Sequence, residues 1–89
     1  MKIKEGFLLR QVSEAYVVVA TGAATQNFNG VVTLNATGAF LWQKLAEGAS
    51  DKAALTEALL AEYDVEKQRA EQDIDAFLAK IADAGLIEA

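Results

Sequence analysis

The sequence contains neither cysteine nor histidine. Without cysteine there are no disulfides, no thiolate metal ligands and no cysteine nucleophile. Without histidine the chain lacks the side chain most used for proton transfer near neutral pH and for binding transition metals. The remaining ligand groups, carboxylates and amides, suit only hard cations. We therefore predict neither a metal site nor a cofactor.

The motifs of common catalytic sites are missing as well. There is no D-x-D-x-D-G loop, no Walker-type glycine loop and no G-x-S-x-G elbow. The remaining carboxylate pair, Asp73 and Asp75, stands two residues apart in a predicted helix, so the two side chains point to different faces. The sequence predicts no catalytic residue and a protein that is not an enzyme.

Long hydrophobic runs are also absent. No apolar stretch approaches the roughly 20 residues that cross a bilayer. The start, Met1 to Gly6, lacks the apolar segment of a signal peptide. These absences predict a cytoplasmic protein that does not enter a membrane. With 89 residues, 53% of them hydrophobic, we expect one domain, residues 1–89, with one modest core.

Positive charge is scarce in the second half of the chain. Residues 1–48 carry four basic and three acidic residues, whereas residues 49–89 carry four basic and ten acidic residues. The second half therefore has a net charge of −6. Such a charge disfavours contact with phosphate backbones or anionic lipid. The predicted partners include no nucleic acid and no membrane.

The first part of the chain has the pattern of an antiparallel sheet. Residues 7–12 and 16–20 are runs rich in β-branched and aromatic residues, separated by residues 13–15. Asn29-Gly30 is the strongest hairpin signal, because both positions tolerate a positive φ. Val31 to Leu34 follows as a third strand. We expect the second strand to continue and to pair with the third across this turn.

From Asn35 onward the hydrophobic spacing changes from two to about 3.6 residues. Asn35 is a natural N-cap, and Gly48 ends the first predicted helix. Ser50 is expected to cap a second helix. Asp64 or Glu66 opens a third helix, which ends at Gly85, and Leu86-Ile87 is expected to fold back on its last turn. Their apolar residues recur at helical spacing: Ala39, Phe40, Trp42 and Leu45, then Leu55, Ala58 and Leu59, then Ile74, Phe77, Leu78 and Ile81. The order βββααα predicts an α+β, winged-helix-like fold.

The string FNGVVTLNATGAFLW, residues 28–42, resembles the central signature of the PqqD family. In that family an N-G turn and an apolar strand precede the pattern L-N-x-T-G-x-x-[LIV]-W. The flanking segments agree with the family in order and spacing. They are Phe7-Leu8-Leu9-Arg10 and Tyr16-Val17-Val18-Val19 before it, and Leu60, Tyr63-Asp64-Val65, Asp73, Phe77-Leu78 and Gly85-Leu86-Ile87 after it. The resemblance covers nearly the whole chain.

This resemblance implies a binding function. PqqD-like domains, also called RiPP recognition elements, bind the leader region of a ribosomally made precursor peptide. They present it to a modifying enzyme, often a radical-SAM protein or a peptidase. In such domains the leader adds as an extra strand beside the third strand, in a groove walled by the third helix. Main-chain bonding of this kind gives affinity with little demand on sequence.

Carried onto this sequence, the third strand is Val31 to Leu34. Alternate residues of a strand point to opposite faces. Val32 and Leu34 are expected in the core, so Val31 and Thr33 are expected nearer the peptide. Replacing Val32 with proline is expected to abolish binding at this edge. All four residues are predicted to form part of the peptide site.

On the third helix, Phe77 is the first candidate for contact with an apolar leader side chain. Arg69, Asp73, Ala76 and Lys80 follow one another at helical spacing and are candidates for a mixed-charge wall of the groove. The predicted peptide-binding residues are therefore Val31, Val32, Thr33, Leu34, Arg69, Asp73, Phe77 and Lys80.

Two other classes of function fit the same element order. A winged-helix transcriptional regulator has this order, but the third helix sets three basic residues against five acidic ones, which would repel a duplex. The other class is a structural or scaffold subunit without peptide binding. It would form a homodimer by exchanging strands, because an exposed strand edge invites self-pairing.

Overall fold

The computed structural model describes residues 2–22, 32–48 and 51–88. Three antiparallel strands are followed by three helices, which confirms the predicted winged-helix-like α+β class. The predicted Asn29-Gly30 turn and Val31 lie outside the described residues. The elements are β1 (Lys2–Ile3), β2 (Phe7–Val12), β3 (Ala15–Ala20), β4 (Val32–Leu34), α1 (Ala36–Ala46), α2 (Lys52–Glu62), α3 (Lys67–Asp83) and β5 (Ile87–Glu88).

Strands β2, β3 and β4 form an antiparallel sheet with β3 in the centre. Strand β2 pairs with β3 from Phe7 opposite Ala20 to Val12 opposite Ala15. Ser13 and Glu14 join these two strands, and Ser13 adopts the positive φ of 59° that a two-residue hairpin turn requires. On the other side of β3, β4 pairs from Val32 to Leu34. Strand β4 therefore lies at one edge of this sheet.

Strands β1 and β5 form a second antiparallel pair, which the sequence analysis missed. Ile3 lies opposite Ile87, and the Lys4 amide donates to the Leu86 carbonyl at 2.9 Å. Strands of two residues are too short to show an alternating pattern. The predicted turn back on α3 is confirmed, since the Leu86 amide donates to the Ile81 carbonyl at 2.9 Å.

Side-chain caps fix the starts of the first two helices. The Asn35 side chain accepts a hydrogen bond from the Gly38 amide at 2.7 Å, which confirms Asn35 as the N-cap of α1. The prediction of Ser50 as the next cap is wrong. Asp51 caps α2, and its carboxylate accepts from the Ala54 amide at 2.8 Å. Both residue types can cap a helix, so composition alone did not distinguish these neighbours.

One hydrophobic core joins the helices to the inner face of the sheet. Trp42 is buried, as predicted, and so are Val32 and Leu34. The third helix contributes its apolar stripe, of which Ile74 and Ile81 are completely buried. The buried hydrophobic residues are Val18, Val32, Leu34, Ala39, Leu41, Trp42, Leu45, Leu55, Leu59, Ala70, Ile74, Phe77, Ile81 and Leu86.

Candidate functional site

The register of the sheet determines which backbone groups of β4 face outward. The Thr21 amide donates to the Gly6 carbonyl at 2.6 Å. In an antiparallel ladder, hydrogen-bonded and non-hydrogen-bonded residue pairs alternate. Arg10 and Val17 are four positions further along this ladder, so they form a bonded pair. Val17 therefore directs its amide and carbonyl toward β2, and Thr33, which lies opposite it on β4, directs its own away from β3.

Thr33 is thus the residue of β4 whose amide and carbonyl both point to the outer edge of the sheet. Val32 and Leu34 use their backbone groups to bond with β3. Within residues 2–22, 32–48 and 51–88, no strand pairs with this outer edge. A joining strand can form a two-bond pair with Thr33. A proline at Val32 would instead break the β3–β4 pairing, so Thr33 is the better position at which to test the edge.

A cavity of about 250 Å³ lies beside this edge. One wall comes from the end of β4 and the start of α1, and the other comes from one face of α3. The α3 residues recur at i, i+4, i+7, i+8 and i+11, which places them along a single face. The lining residues are Leu34, Asn35, Thr37, Gly38 and Leu41 on the first wall, and Arg69, Asp73, Ala76, Phe77 and Lys80 on the second.

The floor of the cavity is apolar. Leu34, Leu41 and Phe77 line it, and each is at most 5% exposed. Gly38 lets α1 approach this floor closely, since a Cβ atom there would lie 3.3 Å from both the Leu34 Cβ and the Asn35 Oδ1. An apolar side chain of a ligand would find hydrophobic surface here.

The α3 side of the cavity carries charges. The Arg69 Nε lies 3.2 Å from the Asp73 Oδ1, so these two side chains form an ion pair one helical turn apart. The Lys80 ammonium donates a hydrogen bond to the Thr33 carbonyl, which faces the outer edge of β4. Two basic side chains thus stand against one acidic side chain, in a chain whose net charge is −5. The charged residues that line the cavity therefore sum to a net charge of +1.

The structure brings six of the predicted site residues to the edge and its cavity: Thr33, Leu34, Arg69, Asp73, Phe77 and Lys80. The Val32 side chain is buried in the core, and Val31 lies outside the described residues. The role of all eight predicted residues in peptide binding stays a prediction. The cavity also includes Asn35, which the sequence predicted as a helix cap, and Thr37, Gly38 and Leu41, which it did not predict as site residues. The sequence feature that could have identified them is their position directly after the edge strand β4.

A second cavity, of about 410 Å³, is lined from α3 by Lys67 and Glu71, on the side of that helix away from the first cavity. There the Lys52 Nζ lies 2.8 Å from the Asp75 carboxylate. This hydrogen bond is the main cause that raises the pKa of Lys52. Asp75 and Asp73 therefore bond to different cations on different faces of α3.

The described part of the chain contains no group of three or more side chains suited to hold a metal ion. Among its helices, none is long and apolar enough to cross a membrane.

Among the described residues, an α+β domain thus leaves one strand edge unpaired, beside a cavity with an apolar floor and a helical wall, and such an edge is a surface that an extended peptide can join. The family of coenzyme PQQ synthesis protein D (PqqD) matches residues 8–87. The chain therefore belongs to the PqqD family, as the resemblance in sequence predicted. No curated protein matches the chain.

Two solved structures are similar over the full length of the fold. One is TbiB1 in complex with the TbiA(beta) leader peptide, with 26% identity and a TM-score of 0.77, covering 100% of this chain and 96% of the other. The second is lasso peptide synthetase B1 complexed with the leader peptide, with 26% identity and a TM-score of 0.74, covering 99% and 96%. Both of these proteins are thus seen with a leader peptide.

Proposed function

We propose that this chain binds the leader region of a ribosomally made precursor peptide and presents it to a modifying enzyme in the cytoplasm. The modifying enzyme is a radical-SAM protein or a peptidase, and the chain itself performs no catalysis. Membership of the PqqD family supports this proposal. The two similar structures support it as well, because each is a complex with a leader peptide.

The outward backbone of Thr33 is the observation that carries the proposal. A peptide strand that joins β4 donates one amide to the Thr33 carbonyl and accepts one bond from the Thr33 amide. Such main-chain bonds form with almost any sequence, so they supply affinity. Selectivity has to come from the side chains of the joining strand.

Alternate side chains of the joining strand point toward the helices, where the cavity lies beside the edge. An apolar leader residue placed there would contact Leu34 and Phe77, which keep 4% and 5% of their surface exposed. Because Phe77 is only 5% exposed, it acts as a wall of the cavity and not as a protruding anchor. We therefore propose that the chain recognises one apolar leader side chain, which enters the cavity next to the two main-chain bonds at Thr33.

The test is a ¹⁵N chemical-shift titration with a synthetic leader peptide, taken from a precursor encoded beside this gene. We expect the amide shifts to cluster on Thr33, Leu34 and the α3 residues from Arg69 to Lys80. Shifts confined to β2, the opposite edge of the sheet, would contradict the assignment of the site. Shifts confined to the second cavity, around Lys52, would contradict it too.

The register of the joining strand can be tested on the peptide alone. Methylating one peptide amide at a time removes one donor and leaves the protein unchanged. A strand bonded to β4 should lose affinity strongly at the residue whose amide meets the Thr33 carbonyl, and little at its two neighbours. Equal losses at consecutive positions would rule out strand addition.

A further inference from the structure

The contact between Lys80 and Thr33 joins residues that are 47 positions apart in the chain. The ammonium bonds to the carbonyl of β4 that faces the outer edge. A joining strand lies about 4.8 Å from its neighbour and places its own amide near that carbonyl. The Lys80 ammonium therefore stands in the space where the proposed peptide would form its bond.

We propose that Lys80 caps the outer edge of β4 in the peptide-free protein and thereby selects peptides that carry a carboxylate beside the strand pair. This inference rests on the proposed function. Lys80 is exposed, and its flexible stem lets the ammonium leave the carbonyl. A peptide that joins β4 displaces the Lys80 ammonium, which then loses its hydrogen bond to the Thr33 carbonyl. A carboxylate on the peptide would compensate for this loss by forming an ion pair with the ammonium.

No neighbouring carboxylate of the chain forms an ion pair with Lys80 among the described residues, so a peptide carboxylate can do so. Asp73, the carboxylate that lines the same cavity, is already paired with Arg69 at 3.2 Å. Ala76, one turn before Lys80 on the same face, carries no charge. Asp83, three residues after Lys80, is the intramolecular competitor, and no ion pair joins it to Lys80 among the described residues.

The same cap explains how an open strand edge is protected. An unpaired edge is a template for pairing with other chains, and proteins blunt such edges with charged side chains, lysine above all. Here the ammonium satisfies the outward carbonyl directly.

The first experiment needs no peptide. Lys80→Met should shift the carbonyl carbon resonance of Thr33, because the ammonium no longer bonds to it. The matched control is Lys67→Met, which removes the same charge from the other side of α3. It should leave that resonance in place. An unchanged Thr33 carbonyl in Lys80→Met, with the fold intact, would overturn the cap.

The second experiment measures selectivity with two synthetic leader peptides. Both carry an apolar residue opposite Leu34, and they differ only in Glu or Gln at the other neighbour of the residue that pairs with Thr33, the one opposite Val32. The wild type should prefer the Glu peptide by about two- to fivefold, the range of an exposed ion pair. Lys67→Met should keep this preference. Lys80→Met should lose it and should bind the Gln peptide at least as tightly as the wild type does.

The outcomes separate the two proposals. A preference for Glu that persists in Lys80→Met would overturn the role of Lys80 in selection, while leaving strand addition intact. If neither peptide binds any of the three proteins, the proposed function fails and selection by Lys80 fails with it. In that case the carbonyl resonance still decides whether Lys80 caps the edge.

Discussion

Thr33→Pro is the substitution that tests the edge of β4 most directly. Proline has no amide hydrogen, and its ring occupies the direction in which the Thr33 amide points. The substitution should spare the fold, because that amide faces away from β3 and the side chain is exposed. Proline is tolerated on edge strands where the amide faces outward. The residue before it, Val32, is already in the extended conformation that proline favours for its predecessor.

The magnitude follows from the two main-chain bonds that Thr33 offers. Each such bond has a net value of about 0.5–1.5 kcal/mol, and the proline ring prevents both by holding the strand away. The expected loss is therefore about 1–3 kcal/mol, which weakens peptide binding by about 5- to 150-fold.

Isothermal titration calorimetry with the synthetic leader peptide measures this loss. Thr33→Ala is the matched control, since it removes the same side chain and keeps the amide, and its affinity should stay close to that of the wild type. Circular dichroism melting of both variants establishes that the fold survives. A folded Thr33→Pro protein that binds as tightly as Thr33→Ala would refute strand addition at β4.

Three further predictions concern the scaffold around the site. Ile74→Ala opens a cavity at a completely buried position and should lower the free energy of unfolding by about 2–5 kcal/mol, as measured by urea denaturation. Asn35→Ala removes the cap bond to the Gly38 amide and should cost about 0.5–2 kcal/mol, seen as a lower Tm; an unchanged Tm would contradict the cap. Asp75→Asn should lower the pKa of Lys52 toward its ordinary value, measured by NMR titration of its side chain. Because that pKa is raised in the folded state, any stability from the pair is present below the unfolded pKa of Lys52. It is lost as pH rises through the folded pKa, so the variant and the wild type should converge in strongly alkaline solution.

Most of the fold could be predicted from hydrophobic spacing. The runs of β-branched and aromatic residues at 7–12 and 16–20 predict β2 and most of β3, and the helical spacing that begins at Asn35 predicts the first helix. The pairing of β1 with β5 could not be predicted, because it joins distant two-residue segments whose geometry only the completed core provides. The choice of Asp51 over Ser50 as a cap depends on where packing sets the first turn of α2.

Some features of the candidate site could likewise be predicted from the sequence, and others could not. The alternation of β4 predicts that the Thr33 side chain is exposed, and the helical row predicts that Arg69, Asp73 and Lys80 share a face. The direction of the Thr33 backbone could not be predicted. It depends on the bonding phase of the whole ladder, which the contact between Thr21 and Gly6 reveals. The bond from Lys80 to β4 depends on how α3 lies across the sheet, and spacing carries no information about that.

The pairing of β1 with β5 brings Lys2 opposite the other end of the fold, at residue 88. Neighbouring strands lie only about 4.8 Å apart, so a linker of a few residues would span this gap. The fold is therefore suited to circular permutation, with new ends opened in the Ser13-Glu14 turn. It is equally suited to insertion into a surface loop of an unrelated protein, since entry and exit lie side by side. A leader-guided enzyme could then be built by splicing the module in at one point, with Thr33 and Lys80 outside the spliced strands.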